Sequence, residues 1–153
     1  MTVIAWDGRT LAADKQMTSG MTKLATKKLH RHGDFLLAFC GDASAGLETL
    51  QWFIDGAVAS AYPPGNRVDG QGASLIAIGH DGKVLKYEKS PYPFEVEGKF
   101  CAFGCGDESA MVAMHCGKTA AEAVAITSIY NTGCGCGVDT LDFTTTKEAH
   151  EQQ

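Results

Sequence analysis

Asp7-Gly8 stands between two short apolar runs, Thr2-Val-Ile-Ala-Trp6 and Arg9-Thr-Leu-Ala-Ala13, and this dipeptide accepts the positive backbone angles of a tight primed turn. The chain therefore opens with a β-hairpin whose first strand begins at residue 2. The pattern returns twice. Lys27-Lys-Leu-His-Arg31 and Phe35-Leu-Leu-Ala-Phe-Cys40 flank a turn at His32-Gly33-Asp34, and Ala73-Ser-Leu-Ile-Ala-Ile78 and Val84-Leu-Lys-Tyr87 flank His80-Asp-Gly-Lys83. The run from Phe35 is continuously apolar, which predicts a strand buried on both faces.

Helices fall between and after these hairpins. Asp42 is placed to cap a helix with Ala43, Leu47, Leu50, Ile54, Ala57 and Val58 on one face, running until Pro63-Pro64-Gly65 stops it. After a strand over Lys99-Phe-Cys-Ala-Phe103, Asp107 caps a short helix to His115. Thr119-Ala-Ala-Glu122 forms a capping box that opens an alanine-rich helix to about Tyr130. A Gly/Cys loop, Gly133-Cys-Gly-Cys-Gly137, precedes a last strand, Val138-Asp-Thr-Leu-Asp-Phe143, and the tail over about 144–153 is polar. Hairpins grouped apart from a helix pair predict an α+β fold of antiparallel sheets covered by helices, because a doubly wound fold needs strict alternation. We expect a single domain over 1–153.

Charge and apolar content narrow the partners. Thirteen Lys and Arg against eighteen Asp and Glu leave a net charge of -5, so the basic surface that nucleic-acid binding draws on is missing. No apolar stretch approaches the roughly 20 residues of a membrane span, and the amino terminus has neither the basic region nor the cleavage site of a signal peptide. These features predict a cytoplasmic protein without nucleic-acid or membrane partners, whose six cysteines are free thiols.

Thr2 is the first candidate for chemistry. A small residue after Met1 lets methionine aminopeptidase expose Thr2 as a free α-amine beside its own hydroxyl, so one residue supplies both nucleophile and base. An α-amine of ordinary pKa near ~8 is suited to take the hydroxyl proton near neutrality. Asp14 and Lys28 gain meaning only beside Thr2: a fixed ammonium lowers the pKa of a neighbouring amine or hydroxyl, and a carboxylate holds that ammonium in place. A rival reading assembles zinc ligands from Cys101, Cys105, His115 and Cys116, or from Cys134 and Cys136 with them, but no C-x-x-C pair occurs. We expect no metal and no cofactor.

Thr2-Val-Ile-Ala, Ala12-Ala-Asp14, Lys27-Lys-Leu and Ala38-Phe-Cys-Gly-Asp-Ala43 resemble the motifs of proteasome β subunits and the bacterial peptidase HslV, which are N-terminal-nucleophile hydrolases. Ser74 to Gly82 is similar to that family's central hairpin, Phe103-Gly-Cys-Gly106 to its Gly-Ser-Gly turn, and Gly135-Cys-Gly-Val-Asp139 to the glycine loop before a late strand. The resemblance implies a four-layer αββα sandwich of two antiparallel sheets between helix layers, lacking one long family helix in favour of Tyr62 to Gly72. It implies a threonine peptidase or amidase acting on peptides or unfolded polypeptide in a homo-oligomeric ring, with an ATPase unfoldase as a further partner. The alternative it leaves is a non-catalytic assembly or binding protein of the same fold. Residue by residue, it implies Thr2 as nucleophile, Lys28 as the tuning ammonium, Asp14 as its carboxylate and the Ala38 backbone N–H as oxyanion donor. Cys105 stands at the family's supporting serine, and Asn131 and Cys134 at its later aspartate and serine.

Overall fold

The computed structural model describes residues 1–144. Beyond Thr144, the expected polar tail lies outside the described residues. The opening hairpin pairs β1 (Ile4–Trp6) with β2 (Thr10–Asp14), and β10 (Cys101–Phe103) and β11 (Val138–Asp142) extend it into an antiparallel sheet of order β10-β1-β2-β11. A second sheet runs β5 (Leu29–His32), β6 (Phe35–Gly41), β7 (Ala73–Gly79), β8 (Val84–Tyr87), β9 (Phe94–Val96), also antiparallel throughout.

Side chains on successive strand residues point to opposite faces, and here both faces are covered. Ile4, Leu11 and Ala13 meet Leu36, Ala38, Ile76 and Ile78 in a core between the two sheets. The alternate residues Val3, Ala5 and Ala12 pack on α2 (Asp107–His115) and α3 (Ala120–Tyr130). On the far side, Leu37, Leu75 and Ala77 pack with Leu50 and Trp52 of α1 (Ala43–Ile54). The order of layers is therefore helix, sheet, sheet, helices: the four-layer αββα sandwich.

Three local expectations change. The polar stretch Met17 to Ala25 contributes to an outlying ribbon of β3 (Gln16–Ser19) and β4 (Thr22–Ala25), whose largely exposed residues carry no apolar alternation to announce strands. Helix α1 ends at Ile54, well before the prolines. Gly56 (φ 110) donates its N–H to the Phe53 carbonyl and Ala57 (φ 54) donates to Trp52, a left-handed C-terminal cap that reverses the chain. Its buried face is accordingly Ala45, Gly46, Thr49, Leu50 and Trp52, while Leu47 and Val58 are exposed. The third difference is β9, a short strand directly after Ser90-Pro-Tyr-Pro93 that pairs with β8 at the edge of the second sheet. Between α1 and β7 the chain makes two short 3-10 turns, and Asn66 pins them by donating to Thr49 Oγ1 at 2.6 Å and accepting from the Ala73 N–H at 3.0 Å.

Candidate active site

Thr2 lies one residue ahead of Val3, whose backbone joins the hairpin by accepting from the Asp14 N–H at 3.2 Å. Asp14 ends β2 and Lys28 immediately precedes β5, so the two sheets deliver one residue each to the space beside Thr2. Lys28 Nζ donates to Asp14 Oδ1 at 2.8 Å, to Thr2 Oγ1 at 3.1 Å and to the Met1 carbonyl at 3.1 Å. An ammonium has three N–H donors, and all three are used. Asp14 is fully buried and Lys28 is 7% exposed, which makes this an ion pair removed from solvent.

The carboxylate is held on both oxygens. Asp14 Oδ1 also accepts from the Val3 N–H at 3.1 Å, and Oδ2 accepts from the Gln16 N–H at 3.2 Å and the Gly135 N–H at 3.0 Å. Three backbone donors and one ammonium therefore converge on it, which offsets the cost of burying the charge. Gly135 belongs to the Gly/Cys loop, which explains why that loop must approach β2 closely.

The turn at Gly104-Cys105-Gly106 closes against Thr2. A Cβ on Gly104 (φ 93) would lie 2.2 Å from the Thr2 carbonyl oxygen, and the Gly106 N–H donates to that same oxygen at 3.3 Å. Cys105 is exposed, and its carbonyl accepts from Asn131 Nδ2 at 3.3 Å, while Asn131 Oδ1 accepts from the Gly133 N–H at 2.9 Å. Asn131 thus ties the Cys105 turn to the Gly/Cys loop. Cys134 is buried behind the turn with its Sγ 3.7 Å from Cys105 Sγ. Burial, reinforced by the neighbouring Asp14 charge and by Cys105, pushes the Cys134 thiol up to about 12.

Thr2 opens onto a cleft of about 730 Å³ whose lining includes Met1, Gly41, Asp42, Ser74 and Cys105. Ala38 is not there, and this corrects its expected position. It is fully buried in the inter-sheet core, paired with Leu29 of β5 on one side and Ile76 of β7 on the other. A strand residue flanked on both edges has its N–H occupied by the ladder. Gly41 takes the place by the cleft: it ends β6 with φ 109, next to the Asp42 cap of α1, where β5 no longer covers the strand edge. The sequence carries a signal for it, a glycine between an apolar strand and a helix cap. Gln16 is another buried contributor that sequence reasoning missed; its side chain donates to the Thr132 carbonyl at 3.1 Å and braces the same loop.

The zinc reading finds no ligand set. Among the described residues no three His, Cys, Asp or Glu side chains converge as metal ligands, and Cys101 points into the inter-sheet core while Cys116 is exposed. No helix among the described residues is long and apolar enough to cross a membrane.

No family model and no curated protein matches this chain. Its architecture does match solved structures. Thiobacillus denitrificans BPH in complex with epoxomicin superposes with a TM-score of 0.66 at 19% identity, covering 92% of this chain and 97% of that one. Eukaryotic HslV from Trypanosoma brucei gives the same TM-score, 0.66, at 19% identity over 92% and 97% of the two chains. A Gly-1 mutant of Anbu from Hyphomicrobium sp. strain MC1 reaches 0.70 at 16% identity over 94% and 82%. The chain has the fold of HslV- and proteasome-type N-terminal-nucleophile hydrolases.

Proposed function

We propose that this protein is a threonine-type peptidase or amidase whose nucleophile is the Thr2 hydroxyl, exposed for chemistry by removal of Met1. The observation that carries the reading is the buried Lys28 ammonium bridging the Thr2 hydroxyl and the Asp14 carboxylate. As translated, the Thr2 nitrogen is an amide whose lone pair is delocalised, and it has no basicity to offer. Cleavage after Met1 turns it into an amine, and removes the Met1 carbonyl that occupies one of the three Lys28 donors. The Thr2 hydroxyl then attacks a substrate amide carbonyl, and the α-amine takes the hydroxyl proton and returns it to the leaving amine. The Lys28 charge favours the alkoxide-like oxygen as it develops. Backbone N–H groups at the uncovered end of β6, at Gly41, are the donors available to the oxyanion; a donor of this kind contributes ~2.7–4 kcal/mol to lowering a barrier. An ester on Thr2 forms, and water hydrolyses it.

Substrate is a peptide or unfolded polypeptide, and the active assembly is a homo-oligomeric ring. The neighbours' fold supports both, since two of them, HslV and the proteasome-like BPH, share this sandwich over nearly the whole chain. The test joins three measurements on one preparation: intact mass for Met1, light scattering for assembly, and turnover of a short fluorogenic peptide amide. Expected are a chain lacking Met1, a species several times larger than one chain, and hydrolysis that Thr2→Ala abolishes without loss of fold. Full turnover from a chain that retains Met1 refutes the mechanism. A processed, assembled and folded chain without amidase activity favours the non-catalytic reading of the fold.

A further inference from the structure

We propose that Cys105 and Cys134 form a redox-active dithiol at the Thr2 cleft, which hydrogen peroxide oxidises to an intramolecular disulfide that disables the site. Its effect on turnover rests on the Thr2 reading; formation of the bond does not.

The pair is separated by 29 positions in sequence, yet the two Sγ atoms are 3.7 Å apart. They differ in access. Cys105 is exposed and lines the cleft, whereas Cys134 is 3% exposed and packs against Ala110 and Val124 of the helix layer. That difference assigns the roles. The accessible Cys105 sulfur attacks the peroxide O–O bond, becoming a sulfenic acid as the distal oxygen leaves as water. The Cys134 sulfur then attacks the Cys105 sulfur, the S–O bond breaks, and a second water departs with the Cys134 proton. Two thiols lose two electrons and two protons, and one peroxide becomes two waters. The raised pKa of Cys134 suits a thiol that waits for a sulfenic acid and does not compete for the oxidant.

Both cysteines are one residue away from a backbone donor that holds the site. After Cys105 comes Gly106, whose N–H fixes the Thr2 carbonyl, and after Cys134 comes Gly135, whose N–H fixes Asp14. A disulfide brings the sulfurs to ~2.05 Å, so turn and loop must together close about 1.6 Å. Packing leaves little slack to absorb this. A Cβ on Gly106 would already lie 3.2 Å from Cys134 Sγ and 2.6 Å from Thr127 Cγ2. The motion therefore passes to Thr2 and Asp14, and a misplacement of about 1 Å in a catalytic group costs on the order of 100-fold in rate.

The test uses the full reduced chain. It is titrated with hydrogen peroxide, quenched with iodoacetamide, mapped by mass spectrometry and assayed in parallel on a peptide amide. Expected are a Cys105–Cys134 linked peptide, two thiols lost per chain, a fall in turnover of about 100-fold, and recovery with dithiothreitol. Cys116→Ser, a control remote from the cleft, should oxidise like the parent, while Cys134→Ser should stop at a Cys105 sulfenic acid that dimedone traps. Oxidation of Cys105 without a link to Cys134, or a link from Cys105 to Cys40, overturns the proposal. A complete link with turnover unchanged overturns the switch and leaves the Thr2 reading intact. Should the reduced chain show no amidase activity, the mapped link alone still decides the dithiol.

Discussion

Replacing Lys28 with Met removes the ammonium and keeps most of the apolar stem. The stem fills the same space, so the loss is electrostatic: Asp14 retains its three backbone donors but loses the opposite charge bonded to it, in a fully buried position. Breaking one partner out of a buried pair typically costs ~3–5 kcal/mol, because the remaining charge stays uncompensated. In a domain of about this length each kcal/mol lowers Tm by roughly 2–4 °C, which puts the Lys28→Met transition on the order of 6–20 °C below the parent. Asp14→Asn approaches the same site from the other side. The carboxylate accepts two hydrogen bonds on each oxygen, so whichever way an amide is turned, its NH2 faces two donors. Each bond to the charged group contributes ~1.5–3 kcal/mol, and two are lost, so this variant should be destabilised at least as much as Lys28→Met. The pair should also be coupled. In urea unfolding at one protein concentration, the double variant should cost at least about 1 kcal/mol less than the two singles added, since neither charge is left alone. A Lys28→Met chain within about 1 kcal/mol of the parent would refute the claim that this ion pair is the structural centre of the site.

Gly104→Ala should disable the site while altering no side chain in it: the added Cβ meets the Thr2 carbonyl oxygen at 2.2 Å and the residue sits at φ 93, so both Tm and amide turnover should fall, with Gly117→Ala, equally left-handed but open, as the comparison that loses only stability. Alkaline pH should unfold the chain through its buried thiols. Burial raises Cys101 to about 11 and Cys134 to about 12 from an ordinary value of 9.0, so the stability they contribute is fully present below pH 9 and lost as pH rises toward those values. Thermal melts from pH 8 upward should show that loss, and a Cys101→Ala, Cys134→Ala chain should flatten it; a parent Tm unchanged to pH 11 contradicts the assignment.

Most of the sandwich is legible because its strands are short and punctuated. Asp7-Gly8 and Asp81-Gly82 mark two turns that the structure places at φ 92 and φ 85 on their glycines, and the capping box at Thr119 and Glu122 forms as the spacing predicts. What escapes is decided by tertiary context. Apart from Gln16, the β3–β4 ribbon has no buried residue to impose a period, and α1 stops at a glycine cap which competes with a longer apolar pattern that reads on to Val58. An apolar residue at helical spacing is evidence for a helix only while the backbone has no cheaper reason to leave it.

The residues around Thr2 divide the same way. Side chains that carry charge announce themselves by type, and Lys28 bonds to both the Thr2 hydroxyl and the Asp14 carboxylate. Backbone groups carry no such label, so the residue types point to Ala38 while the fold buries Ala38 and brings Gly41 to the cleft. Ala38-Phe-Cys-Gly41 are all strand residues running into the Asp42 helix cap, and the choice of free N–H depends on where the neighbouring strand ends. That end is set by register: Leu29 is the first residue of β5 and it pairs with Ala38, so coverage of β6 on that edge stops there and the strand is open from Phe39 to Gly41. Lys28 is the residue just before Leu29. One pairing register therefore does two things at once: it releases Lys28 from the sheet toward Thr2, and it uncovers the end of β6 that an oxyanion would need.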